Sequence, residues 1–125
     1  MTIANVWILL CDASRARLLE THGRVHIWKC VREFRRGEGL GPHEWIRMLA
    51  GVLGQGQLWK RYSKLVLVAP AGVLDELHAT LTDEVADVVL ATVERDLVDV
   101  PLRELPDLLA GNVRPRIAIE EHAHV

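Results

Sequence analysis

Val6-Trp7-Ile8-Leu9-Leu10-Cys11-Asp12 is an unbroken apolar run closed by an acid. A strand with one wet face alternates apolar and polar residues. A run without alternation fits a strand buried on both faces, so this one is expected at the centre of a sheet. Asp12-Ala13-Ser14-Arg15 follows it. Asp and Ser side chains bond to nearby backbone amides and favour turns, which makes Asp12 a turn residue capping the amide of Ser14. Ala16 to Thr21 reads as a second strand, His22-Gly23-Arg24 as a tight turn, and Val25 to Phe34 as a third strand. That third strand alternates in part, with Val25, Ile27 and Val31 on one face and Trp28 and Cys30 on the other. The opening is therefore an antiparallel meander.

Beyond it, Arg35-Arg36-Gly37-Glu38-Gly39-Leu40-Gly41-Pro42 is a loop, and Pro42 suits the first turn of a helix. Trp45, Met48, Leu49, Val52 and Leu53 recur on one helical face, and Gly54-Gln55-Gly56-Gln57 is expected to end that helix. Lys64 to Pro70 is a second buried strand. Ala71 to Leu81 is a helix with Leu74, Leu77, His78 and Leu81 on one side, and Asp87 to Val93 is a further strand. Pro101 to Ala110 is a last helix, with Leu102, Leu105, Leu108 and Leu109 inward and Gly111 as its stop. The order βββαβαβα, with strands and helices alternating in the second half, implies parallel pairing and right-handed crossovers.

The chain has 125 residues, one domain of ordinary size, and half of them are apolar. Residues 1–112 are read as that domain and residues 113–125 as a tail. Val113 to Ile119 is strand-like and able to add to a sheet edge in its own chain or another's, which predicts a homodimer. The start has no basic segment and no long apolar stretch, and no run approaches the ~18 apolar residues of a membrane span. A cytoplasmic protein is expected, without membrane association. Cys11 and Cys30 fall inside strands and read as reduced core thiols. Net charge is −2, but residues 1–64 carry +6 and residues 65–125 carry −8, which suggests a basic and an acidic face.

No catalytic motif is complete. Gly37-x-Gly39-x-Gly41 is neither the dinucleotide fingerprint nor a P-loop. A two-metal nuclease needs several converging carboxylates; Asp12 ends the first strand, but Lys64 to Pro70 offers no acid beside it. Ser14 and Ser63 have no identifiable His–acid pair. Glu120-Glu121-His122-Ala123-His124 reads as a solvated tail, and His22 and His26 as surface histidines. No cofactor, metal or catalytic residue is assigned. What remains is a basic constellation: Arg15 and Arg17 at the first hairpin, Lys29, Arg32, Arg35 and Arg36 along the third strand, and Lys60, Arg61 and Lys64 further on. Trp28 and Trp59 are interleaved with it and could stack bases.

Trp7-Ile8-Leu9-Leu10-Cys11-Asp12-Ala13-Ser14-Arg15-Ala16-Arg17-Leu18-Leu19-Glu20 resembles the opening of bacterial host-attachment proteins, an apolar strand, an Asp-bearing turn, then Ala-Arg and two apolar residues. Leu65 to Pro70, the Leu-rich helix, Asp96-Leu97 and Pro101-x-x-Glu104-Leu105 are similar to the same family's characteristic run. The resemblance covers about residues 5–110. It gives Asp12, Ala16, Pro70, Asp96, Leu97 and Pro101 structural roles. The family is related to the middle domain of archaeal and eukaryotic peptide-chain release factors, which implies a ribonuclease H-like mixed sheet of about five strands with helices packed on it. In release factors a Gly-Gly-Gln loop between the third strand and the first long helix is catalytic. Here that loop, Arg35 to Pro42, has no Gln, and the resemblance carries no catalytic role to Gly54-Gln55-Gly56-Gln57.

The expectation is a non-catalytic binding domain associated with the ribosome or structured RNA through Arg15, Arg17, Lys29, Arg32, Arg35 and Arg36. The alternative is a protein-interaction or stress-associated homodimer with no nucleic acid partner. A metal-dependent nuclease or hydrolase ranks third.

Overall fold

A computed structural model describes residues 5–22 and 28–109 of the chain. Five strands form one sheet in the order β3-β2-β1-β4-β5. They are β1 (Asn5–Cys11), β2 (Arg15–His22), β3 (Trp28–Arg35), β4 (Lys64–Ala69) and β5 (Val89–Glu94). β1 lies at the centre, as its unbroken apolar run requires, antiparallel to β2 and parallel to β4. β2 and β3 complete the meander, and β5 runs parallel to β4. The result is an α/β fold with the ribonuclease H-like arrangement of its sheet.

Alternate residues of the central strands feed two separate cores. Trp7, Leu9, Leu65 and Leu67 pack with Trp45, Leu49, Leu53, Leu74 and Leu77 beneath the helices α1 (Pro42–Leu58) and α2 (Ala71–Thr80). Ile8, Leu10, Leu19, Val66, Val68 and Val93 pack on the opposite face with Leu97, Leu105 and Leu109. Both faces of β1 are thus covered, which explains its lack of alternation.

Several expectations need correction. Gly54-Gln55-Gly56-Gln57 does not end α1; the helix runs through it to Leu58. A short helix, α3 (Asp83–Ala86), precedes β5, capped by Thr82, whose Oγ1 accepts from the Val85 amide at 3.3 Å. β5 consequently begins at Val89, two residues later than the β-branched run suggests. His78 is exposed, because α2 buries only the narrow stripe Leu74 and Leu77. The last helical segment opens as a 3-10 turn over Leu102–Glu104 and continues as α-helix through 105–109. The tail from residue 110, the domain boundary at 112, Gly23 and Arg24 of the expected turn, and Val25, His26 and Ile27 of the expected third strand lie outside the described residues.

The two cysteines differ. Cys11 is buried, and burial, with Asp12 adding to it, pushes its thiol up to about 12, so it is an inert core thiol at neutral pH. Cys30 is exposed on β3 and is not a core residue. It lies on the edge strand of the sheet and belongs to neither core. No helix among the described residues is long and apolar enough to cross a membrane.

Candidate nucleic-acid interface

The first hairpin is set by Asp12. Its Oδ1 accepts from the Ser14 amide at 2.8 Å and the Arg15 amide at 2.7 Å, and its own amide donates to the Arg15 carbonyl at 2.9 Å. The Asp12 carbonyl accepts from the Trp45 indole at 2.9 Å, tying the start of α1 to the turn. Asp12 is therefore the turn residue its sequence context indicates. The Arg36 amide donates to the Ser14 carbonyl at 2.8 Å and brings the end of β3 to the same turn. Ala16 is buried beneath this junction.

The basic residues separate onto the two faces of the sheet. Arg15 and Arg17 alternate with the inward Ala16 and Leu18, so they point away from α1. Arg15 forms a two-pronged ion pair with Asp99, at 2.5 and 2.6 Å. That hydrogen-bonded pairing holds the Asp99 carboxyl below its usual value and raises Arg15, with Asp12 and Asp96 adding smaller attractions to the guanidinium. Arg17 donates to the carbonyls of Val98 at 3.2 Å and Val100 at 2.5 Å. Both side chains are engaged by the loop after β5. The other family-motif residues belong to the same scaffold. Leu97 is buried in the second core, Asp96 is exposed beside Arg15, and the Pro101 carbonyl accepts from Glu104 in the 3-10 turn. The Pro70 carbonyl accepts from Leu74 at the start of α2.

Arg35 stands opposite Arg15 in the sheet and is exposed, with no ion-pair partner among the described residues. Arg36 is half-buried. Lys29 and Arg32 fall on the α1 side. A bulge in the pairing with β2 leaves Val31 without an opposite residue; Leu18 faces Arg32 and Leu19 faces Cys30. Lys29 lies 3.7 Å from Glu20, which also accepts from the Trp7 indole at 3.0 Å. The Arg32 guanidinium sits 4.6 Å from the centre of the Phe34 ring, in cation–π contact.

Across from Lys29 and Arg32 stands the end of α1. There the Lys60 amide donates to the Gln57 carbonyl at 3.1 Å and the Arg61 amide to the Gly56 carbonyl at 2.8 Å. This pair of bonds is a Schellman motif, which needs a left-handed residue at the first position beyond the cap. Lys60 fills it at φ 55, where glycine is the usual choice. The sharp turn leaves Leu58 and Trp59 each 72% exposed. Between the edge strand and this helix end lies a groove of about 570 Å³, lined among others by Lys29, Val31, Arg32, Gln55, Trp59 and Arg61. Trp59 and Arg61 belong to the basic constellation visible in the sequence but not to the six cations expected to form the site. Nothing local shows that a loop 84 residues away engages Arg15 while Arg61 is exposed at the groove. Among the described residues no three His, Cys, Asp or Glu side chains are placed to hold a metal ion.

A sequence model of the proteins required for attachment to host cells matches residues 42–109, from the start of α1 to the last described helical turn. The chain belongs to this family. The host-attachment domain also shares its fold with solved archaeal structures. One, described as an archaeal protein, superposes with a TM-score of 0.61 at 12% identity, over 95% of this chain and 39% of its own. Another, the archaeal translation termination factor aRF1, superposes with a TM-score of 0.53 at 7% identity, over 96% of this chain and 41% of its own. The host-attachment domain thus spans about two fifths of the length of these two structures. No curated protein sequence matches it.

Proposed function

We propose that this host-attachment domain is a non-catalytic RNA-binding module of the cytoplasm, acting on the ribosome or on structured RNA with unpaired segments. The carrying observation is the groove at the β3 edge, where Lys29, Arg32 and Arg61 surround an exposed indole. Arg35 and Arg36 continue the cationic edge of β3 toward the first hairpin. Phosphate oxygens accept the planar fork of arginine in bidentate fashion, and bases stack on aromatic faces. Arg15 and Arg17 support this edge from behind by anchoring the 98–100 loop. Likeness to a termination factor supports a translational setting at the level of fold.

Co-sedimentation of the purified chain with ribosomes tests the reading. The chain is expected in the ribosomal pellet at low salt and in the supernatant at high salt, because displaced counterions drive the binding. Peptide release from stalled ribosomes is expected to equal that without the protein. A chain that stays in the supernatant at low salt and binds no RNA would leave the protein-interaction homodimer as the better account.

A further inference from the structure

We infer that the groove selects unpaired over duplex RNA by stacking one base on Trp59, with the flanking phosphates held by Arg61 and Arg32. The inference rests on the RNA-binding reading and narrows it to a class of ligand and a residue. Three of the four tryptophans serve the fold. Trp7 and Trp45 are buried in the first core and Trp28 packs against the second. Trp59 serves neither core. Among the described residues nothing stacks on its ring or bonds to its indole nitrogen.

The indole is also well placed. Its backbone is fixed by the hydrogen bonds that close α1, so only the side-chain rotamer remains to be ordered on stacking. Arg61 follows two positions on, and Arg32 faces it across the groove. Glu20 lies on the groove floor with Lys29 and the Trp7 indole as partners. Its carboxylate would repel a phosphate there, which leaves the rim, at Arg32 and Arg61, for the backbone. A groove of about 570 Å³ is in the size range of small-ligand sites, enough for a nucleotide and not for a helix. In A-form duplex the base faces are covered by their neighbours, so only an unpaired base can offer one to Trp59.

The test compares a ten-nucleotide unstructured RNA with a blunt-ended RNA duplex by fluorescence anisotropy at low salt, using the full chain, Trp59→Leu, Trp59→Phe and Arg61→Ala. The expected result is tighter binding of the unstructured RNA by wild type. Trp59→Leu should weaken it about 5- to 150-fold, from the range found for one base–aromatic stack, and Trp59→Phe should keep most of the affinity. Duplex affinity should not respond to Trp59→Leu. If Trp59→Leu binds unstructured RNA like wild type while Arg61→Ala weakens it, RNA binding stands and the stacking inference is overturned. Equal affinity for both RNAs overturns the selectivity. If wild type binds neither RNA, and Trp59→Leu instead lowers the mass seen by light scattering, the patch is a protein contact and both readings fall.

Discussion

Trp45→Ala is expected to destabilise the domain by about 3–5 kcal/mol, the range for deleting a buried tryptophan. Trp45 is 1% exposed and stands at the centre of the core beneath α1. Its indole nitrogen also satisfies the carbonyl of Asp12, so truncation opens a cavity and removes the donor from a partly buried acceptor. The loss is a large share of the roughly 5–15 kcal/mol that holds such a domain together. Urea unfolding followed by circular dichroism measures it, and the midpoint should fall by more than about 1 M, given slopes of about 1–3 kcal/mol/M. Trp59→Ala, on the same turn of chain as the end of α1, should shift stability by less than about 0.5 kcal/mol. Equal losses for the two tryptophans would contradict the division between core and surface indoles.

Gly56→Ala is expected to destabilise the domain by about 1–3 kcal/mol. A Cβ at Gly56 would lie 2.5 Å from Trp7 Cζ3 and 2.9 Å from Tyr62 Cε1. Neither ring can easily yield. They stack on each other with centroids 4.7 Å apart, the Trp7 indole is held by Glu20, and the Tyr62 hydroxyl donates to the Leu53 carbonyl at 2.7 Å. Burial pushes the Tyr62 phenol up to about 12, so it remains a neutral donor at any ordinary pH. Gly54→Ala, two residues earlier in the same helix, meets nothing within 4 Å and should stabilise by about 0.5–1 kcal/mol through helix propensity alone. Opposite signs in the two unfolding curves are the expected outcome. Stabilisation by both would show that the close approach of Trp7 to α1 is soft.

These two glycines also show where the sequence was legible and where it was not. A Gly-Gln-Gly-Gln run reads locally as a helix stop. Its second glycine instead admits an indole from a strand 49 positions earlier in the chain, by the difference between Gly56 and Trp7. The central position of β1 was legible because burial on both faces leaves a one-dimensional mark, a run without alternation. The Asp12 turn was legible for the same reason, since its hydrogen bonds reach only two and three residues ahead. α3 left almost no mark, being four residues long and defined by the Thr82 cap. His78 was misplaced because helical periodicity marks the candidates for an inward face without saying how wide that face is. At the site, residue type identified the cations and the sheet register sorted them. Arg15 and Arg17 carry the same sequence signal as Arg32 and Arg61, and only the fold shows that the first pair is engaged by Asp99 and by the Val98 and Val100 carbonyls.

The central claim is that the β3 edge and the end of α1 form an electrostatic RNA site, and the salt dependence of RNA affinity tests it most directly. Each phosphate contacted by a cation contributes about −0.7 to the log–log slope for a single strand. Arg32→Glu with Arg61→Glu should therefore flatten the slope by about one to one and a half units and weaken binding at low salt. Arg95→Glu with Arg103→Glu, which alters charge equally at exposed positions outside the groove, should leave the slope unchanged. A wild-type affinity indifferent to salt, or equal slopes for the two double variants, would contradict the account.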